Sequence, residues 1–240
     1  MKHPTVVILS AGVGSRLGNP YPKGLTSLGN GETIFSRQLR QFREFGLTVV
    51  VVVGFKKDLI MEADPGVVFA YNANFDTTNT SKSLLCGIRN IHGEDVLWIN
   101  GDVVFNREVI QQVLQEKGSW VVVNNAQVGE EEVKYTKDHR GYINAISKQV
   151  KKPLGEAVGI NLIEAPHLES FKEKLNAVHD QDYFERAMEL LIQEKEGLFR
   201  PLNVDDGACV EVDFKEDLKR ARMIVKPELS DFSRRDVPKS

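Results

Sequence analysis

Two cations and three acids stand where the chain could handle a polyphosphate. A small-residue loop, Ser10 to Ser15, follows the apolar run Val6 to Leu9 and contains Ala11, Gly12 and Gly14. Glycines at such a point admit positive φ and remove the Cβ atoms that would hold a ligand away from the backbone N–H groups, so the loop can line an anion with donors. Arg16 adds a planar fork of donors and Lys23 a point charge, while Pro20 and Pro22 stiffen the segment that presents the lysine. Asp102 follows the run Val96 to Asn100 through Gly101. An aspartate directly after a central parallel strand would repel bound phosphates unless a divalent cation intervened, which makes Asp102 a candidate metal ligand. In Cys209-Val-Glu-Val-Asp213, Glu211 and Asp213 alternate, which predicts that they share one strand face. Two acids so placed call for a counter-charge, and a metal is the simplest one.

Two common phosphate motifs fail on this loop. Counted from Gly12, a dinucleotide fingerprint finds Gly14 but then Leu17, with Gly18 one place late. A Walker A loop needs Gly-Lys before Ser or Thr, whereas Lys23 follows Pro22 and precedes Gly24.

The elements that must position these residues alternate. After the first strand, Ile34, Phe35, Leu39, Phe42 and Phe45 form a helical stripe stopped by Gly46; Thr48 to Val53 reads as a strand buried on both faces. A short helix, Phe55 to Glu62, and a third strand, Val67 to Tyr71, follow. This pattern predicts an α/β fold, a doubly wound and mostly parallel sheet that binds ligands beyond the carboxyl ends of its strands. The loop YNANFDTTNTSKS precedes a helix that Asn79, Thr80 or Ser81 could cap. Asn106 is the expected N-cap of NREVIQQVLQEK, and Trp120 to Asn124 is another strand. From Glu131 the grammar changes: two short runs flank Asp138-His139-Arg140-Gly141, an expected antiparallel hairpin over the open end of the sheet, with a return strand from Gly155. Helices over Pro166 to Leu175 and Asp182 to Glu194 lead to the last strand, Cys209 to Asp213, with Glu216 and Asp217 in the first turn of a closing helix. One domain over 1–225, with the hairpin flap at about 131–163, is expected to leave 226–240 as a polar, proline-punctuated tail. That tail could dock on the body or on a second copy, so a homodimer is among the allowed assemblies.

Composition narrows the class. The 240 residues carry 31 Lys+Arg against 34 Asp+Glu, a net charge of −3, so no global attraction to nucleic acid or an anionic membrane is expected and phosphate binding must be local. No apolar run approaches the ~20 residues of a membrane span, and the N-terminal run is too short for a signal peptide, so a cytoplasmic location is expected. Cys86 and Cys209 are too few for a disulfide framework or a structural zinc site.

The ordered set Ala11-Gly12-x-Gly14-x-Arg16-Leu17, Pro22-Lys23, Gly101-Asp102, Gly155-Glu156-Ala157 and EVDFKEDLKRA resembles the nucleotidyltransferases that make nucleoside-diphosphate sugars and alcohols, from about Val6 to Ala221. It is most similar to the branch of phosphocholine and small phospho-alcohol cytidylyltransferases. The resemblance implies a reaction between CTP and a small phosphorylated substrate, with Mg²⁺ on Asp102 and Asp213 supported by Glu211. It implies Arg16 and Lys23 on the triphosphate, Ala11 and Gly12 at the base, and Lys148 and Glu156 on the acceptor. Ser83, followed by Gly87 and Ile88, is similar to the segment that holds cytosine in these enzymes; it serves equally well as a helix-start hydroxyl. Lys148 adjoins Lys151 and Lys152, so a solvated basic patch competes for its role. Trp120, Tyr135, Tyr142, Tyr183 and Phe184 are candidate walls for an ammonium-bearing acceptor, in the absence of the aromatic that relatives carry where Cys209 stands. Sugar- or inositol-phosphate nucleotidyltransferases, a molybdopterin-type nucleotidyltransferase and a non-catalytic nucleotide sensor share enough of these motifs to stay open.

Overall fold

The computed structural model describes residues 3–14, 21–29, 31–125, 128–130, 132–205 and 207–235, with 226–235 through their backbone alone. Arg16, Leu17 and Pro20 therefore lie outside the described residues.

The apolar runs become strands β1 (Thr5–Ser10), β2 (Val49–Val53), β3 (Val68–Tyr71) and β4 (Val96–Asn100), paired in parallel with β1 between β2 and β4. Helices α1 (Ile34–Glu44), α2 (Lys57–Ala63) and α3 (Thr80–Ile88) make the crossovers. Thr33 opens α1 with a capping box: its hydroxyl accepts from Ser36 N and the Ser36 hydroxyl accepts from Thr33 N. After β4 come β5 (Val103–Phe105), α4 (Arg107–Gln115) and β6 (Ser119–Asn124). The hairpin is β7 (Lys134–Lys137) with β8 (Ile143–Ser147), and the return strand is β9 (Gly155–Ile163). Then follow α5 (Ala165–Ala177), α6 (Phe184–Glu194), β10 (Phe199–Asn203), β11 (Cys209–Glu211) and α7 (Lys215–Arg235).

The main sheet runs β10-β6-β9-β4-β1-β2-β3. The return strand β9 is inserted antiparallel between β4 and β6, and β7 pairs with its first residues, which hangs the hairpin beside the carboxyl end of β4. A second, two-stranded sheet pairs β5 with β11 antiparallel.

Both faces of the sheet are covered at its centre, which is why β1, β2, β4 and β6 are apolar along most of their length. On one face Val6, Ile8, Val51 and Ile99 pack against Phe35, Leu39 and Phe42 of α1. On the other, Val7, Leu9 and Trp98 meet Leu84 and Ile88 of α3, Phe171 of α5 and Phe184 of α6; Trp98 stacks 5.2 Å from Phe171 and edge-on to Phe184 at 5.8 Å. Val104, Val210, Val212 and Ala221 form a third, smaller cluster that seats α7 on the β5–β11 ribbon. Among the described residues no helix is long and apolar enough to cross a membrane.

Lys23 itself opens a single 3₁₀ turn, Lys23–Leu25. One local expectation is corrected and one is extended. The last strand stops at Glu211, so Asp213 belongs to the loop before α7 and not to a shared strand face. The closing helix runs on through Pro227 to Arg235, into the stretch expected as a polar tail.

Candidate active site

Three chain segments that carry the charged residues meet at the carboxyl ends of β1 and β4. The amide of Gly101 donates to Leu9 O at 2.9 Å, which ties the exit of β4 to the exit of β1; a Cβ on Gly101 would stand 2.7 Å from Leu9 O, so only glycine admits this approach. Asp102 O in turn accepts from Val212 N at 3.0 Å, which brings the end of β11 to the same place. Helix α1 holds the segment from behind. Its buried Gln38 donates through Nε2 to Asn100 O at 3.1 Å and to Val103 O at 2.8 Å, so the carbonyls on both sides of Asp102 are fixed by one side chain. Arg37 and Gln41 both donate to Phe105 O.

Lys23 is the hub. Its Nζ donates to Asp102 Oδ2 at 2.9 Å and also pairs with Asp213, each group mostly buried. Burial alone would lower the ammonium pKa, but the charges of Asp102 and Asp213 and their hydrogen bonds outweigh it and hold the pKa above its ordinary value. Gly14, with φ of +62°, lies under the lysine stem: a Cβ there would meet Lys23 Cγ at 2.7 Å. Asp217, in the first turn of α7, accepts from the amides of Asp213 at 3.2 Å and Phe214 at 2.8 Å and so fixes the loop that carries Asp213. Glu211 accepts from Asn100 Nδ2 at 3.0 Å. Burial first, then the charges of Asp102 and Asp213, push its carboxyl up to about 8.

These groups open onto one cavity of about 940 Å³. Its walls bring together most of the residues read from the sequence: Ser10, Gly12, Gly14, Lys23, Asn79, Gly101, Asp102, Lys148, Glu156, Glu211 and Asp213. A Cβ added to Gly12 would meet nothing within 4 Å, so the space over that glycine is open to a ligand. Also on the cavity wall, Lys148 Nζ stands 5.1 Å over the Tyr183 ring, and Glu156 accepts from Asn124 Nδ2 at 2.8 Å. Asn79 caps α3, accepting from Thr80 N, and its amide donates to Gln181 O.

Ser83, Gly87, Tyr135 and Ala11 do not line the cavity. Ser83 is buried and accepts from Asn72 Nδ2 at 3.0 Å, the same amide that donates to Thr78; it fastens the 72–79 loop. Gly87 has a packing reason, since a Cβ there would stand 2.7 Å from both Val7 and Val52. Tyr135 lies buried under the hairpin, its hydroxyl donating to Asn125 Oδ1 at 2.9 Å and its pKa raised by burial. Ala11 is buried at the loop entrance, its carbonyl accepting from Phe55 N at 3.0 Å. Of the aromatic candidates, Trp120 is core, Tyr142 lies against Arg140 and Arg200, and Tyr183 and Phe184 reach the cavity. Sequence reasoning missed the buried Gln38 and Glu185 and the half-buried Asn100, polar residues whose surroundings depend on distant packing.

A glycine loop after the first strand and an acid-lined crevice at the carboxyl edge of an open α/β sheet define a nucleotide-handling protein of the nucleotidyltransferase class. Within that class the chain belongs to the MobA-like NTP transferase domain family, whose pattern matches residues 6–163. CMP-5'-(3-aminopropyl)phosphonate synthase of Streptomyces rubellomurinus is 33% identical over 117 residues, 45% of this chain and 18% of that protein, so the match spans less than a fifth of that relative's length. Among solved structures, CTP:phosphocholine cytidylyltransferase from Streptococcus pneumoniae superposes with a TM-score of 0.74 at 18% identity, over 93% of this chain and 100% of that one. The inositol-1-phosphate CTP transferase from T. maritima does so with a TM-score of 0.74 at 13% identity, over 93% and 96%. At such identities the likeness is one of fold.

Proposed function

We propose that this protein is a Mg²⁺-dependent cytidylyltransferase that moves CMP from CTP to a small phosphorylated alcohol or phosphonate and releases pyrophosphate. The observation that carries the reading is the convergence of Lys23, Asp102 and Asp213 in one cavity that Lys148 also lines. The named relatives favour CTP over other nucleotides, since one makes a CMP-phosphonate and two use CTP.

The residues fit a magnesium ion. Asp102 and Asp213 are hard oxygen donors that reach one point, and Mg²⁺ is commonly held by one or two carboxylates with substrate phosphates and water in the remaining positions. Among the described residues no group of three or more His, Cys, Asp or Glu is placed to hold a metal. When bound there, the ion supplies charge neutralisation at the α-phosphate.

The chain's own residues do the rest. An oxygen of the acceptor phosphate or phosphonate attacks the α-phosphorus of CTP, a new P–O bond forms, and the bond to the β-phosphate oxygen breaks in line. No general base is required, because a phosphomonoester with its second pKa near ~6 is already mostly ionised at neutral pH. Lys148 holds that dianion. Lys23, released from the carboxylates, meets the negative charge that builds on the departing pyrophosphate, with Arg16 assigned beside it from the sequence. The open face of Gly12 lets phosphate oxygens reach backbone amides.

The test is pyrophosphate release with each of the four common nucleoside triphosphates, Mg²⁺ and a panel of small phosphorylated alcohols, phosphonates and sugar phosphates, with the product identified by mass. A CMP adduct of a phosphonate or phospho-alcohol is expected. UTP- or dTTP-dependent activation of a sugar phosphate would replace the cytidylyl reading, and tight nucleotide binding without release from any pair would favour a sensor.

A further inference from the structure

The carboxylates read as metal ligands already hold a cation of the chain itself. Lys23 Nζ donates to Asp102 Oδ2 at 2.9 Å and to Asp213 Oδ1 as well, so the ammonium sits at the point the two acids share. The three side chains are 16%, 16% and 27% exposed for Lys23, Asp102 and Asp213, which leaves water and salt little room to screen the pairing. A Mg²⁺ ion takes oxygen ligands at about 2.0–2.1 Å in a near-octahedral shell. An ammonium bonded to both acids lies within that shell, and two cations so close repel, so the metal and the lysine head exclude one another from this pair of carboxylates.

The contact opens by movement of the lysine side chain alone. Lys23 begins the turn Lys23–Leu25, which is closed by Leu25 N on Pro22 O at 3.0 Å and by Thr26 N on Lys23 O at 2.9 Å. Gly24 is buried against the exit of β4, where a Cβ would stand 3.4 Å from Gly101 O. The backbone of the lysine is therefore pinned beside Asp102. Its stem passes over Gly14, which has no side chain to trap it. The acids are pinned too. Gln38 holds the carbonyls of Asn100 and Val103 around Asp102, and Asp217 accepts from the amide of Asp213. A divalent ion arriving alone gains the two carboxylates only by breaking both lysine bonds. A triphosphate offers the ammonium new charged acceptors and exchanges those bonds for others.

We propose that Lys23 is a resting counter-ion that keeps the metal site closed: the nucleotide-free protein holds divalent cations weakly, and the triphosphate opens the site by drawing the Lys23 ammonium onto its own oxygens. Metal then enters with the nucleotide or after it, not before. The proposal rests on the transferase reading for the triphosphate and for the metal that these acids receive.

The experiment uses Mn²⁺ in place of Mg²⁺, because free Mn²⁺ is counted directly by electron paramagnetic resonance. Nucleotide-free wild type, Lys23→Met and the double variant Lys23→Met with Asp102→Asn are titrated with Mn²⁺, and CTP binding in EDTA is followed by calorimetry. Lys23→Met should bind Mn²⁺ roughly 10- to 100-fold more tightly than the wild type, the range for one charge-assisted hydrogen bond that the metal no longer has to break. The double variant should return to the weak binding of the wild type, which places the gain at these carboxylates. Metal-free CTP should bind the wild type and bind Lys23→Met at least ~10-fold more weakly. Equal Mn²⁺ affinity in the wild type and Lys23→Met would overturn the proposal, as would a gain that survives Asp102→Asn or CTP binding indifferent to Lys23. The wild type alone supplies a further check: millimolar Mg²⁺ without nucleotide should leave its Tm within about 1 °C, and a larger rise would overturn the idea whether or not the variants fold. The two levels separate. Tighter Mn²⁺ binding by Lys23→Met in a protein that releases no pyrophosphate sinks the transferase and keeps the closed site, whereas turnover by a wild type that binds Mn²⁺ as tightly as Lys23→Met does the reverse.

Discussion

Alanine at Gly12 and at Gly14 should fail in different ways, although the two residues stand one apart in the same loop. Gly14 has a φ of +62°, and an alanine there would also press its methyl to 2.7 Å from Lys23 Cγ. The left-handed backbone costs about 1–2 kcal/mol for an L-residue, and a displaced lysine weakens its pairing with Asp102 and Asp213 by roughly a further 1 kcal/mol. The sum, about 2–3 kcal/mol, corresponds to about 4–12 °C in Tm for a domain of this size. Gly12 has no left-handed φ and nothing within 4 Å of its Cβ position, so Gly12→Ala should hold Tm within about 2 °C. If phosphates approach that open face, however, the methyl occupies their space, and CTP affinity in Mg²⁺ should fall by ~10-fold or more. Differential scanning calorimetry and nucleotide titration on the two variants give both numbers. A Gly12→Ala protein that binds CTP as tightly as the wild type would refute the phosphate cradle, and a Gly14→Ala protein of unchanged Tm would refute the placement of Lys23 over that glycine.

Other perturbations read the supports of the site. Gln38→Leu removes both hydrogen bonds that flank Asp102 and leaves two buried carbonyls without them; urea unfolding should show a loss of about 2–3 kcal/mol, and kcat should drop with a rise in the Mg²⁺ needed for half-maximal rate, whereas unchanged Mg²⁺ dependence would make Gln38 a packing residue alone. Glu185 also predicts a pH signature. The folded carboxyl keeps its proton up to about 7 while the unfolded one releases it near the usual 4.5, so stability falls as pH rises through that window and the full cost stands above 7, on the order of 3 kcal/mol. Glu185→Gln should therefore match the wild type at pH 4 and exceed it at pH 8 in urea midpoint; Lys148 and Glu189, the charged neighbours that bear on it, remain in both proteins. Asn100→Leu removes the amide that serves Glu211 and should lower thermal stability by about 1–3 kcal/mol at pH 7, read by the same unfolding experiment; no loss would mean that Glu211 is served by solvent.

The sequence displays what local chemistry writes. β1, β2 and β4 are legible because strands buried on both faces need unbroken apolar runs, and the placement of Asp102 follows once β4 is recognised as a central strand. The hairpin was legible from its turn residues. β5 was not: Val103–Phe105 is too short to carry a period, and it becomes a strand by pairing with β11 more than a hundred residues later. The insertion of β9 between β4 and β6 is equally a matter of long-range pairing. Arg37, Gln38 and Gln41 look like the solvated face of an amphipathic helix, and they are buried because β5 and the end of β4 offer them carbonyls. Glu185 reads as an ordinary first-turn acid, and only the packing of α6 against the cavity removes it from water. Ser83 matches a family segment by spacing, and in the fold its hydroxyl accepts from Asn72, a loop contact that no local pattern announces.

The most direct test of the central claim is a single comparison: pyrophosphate release from CTP and an aminoalkyl phosphonate in Mg²⁺, for the wild type, Lys23→Met and Asp213→Asn, with each variant shown to fold. Mg²⁺-dependent release by the wild type, lowered at least ~100-fold in both variants, is the predicted result. Release that survives Lys23→Met and Asp213→Asn would show that the cavity where Lys23, Asp102 and Asp213 converge is not where the chemistry happens.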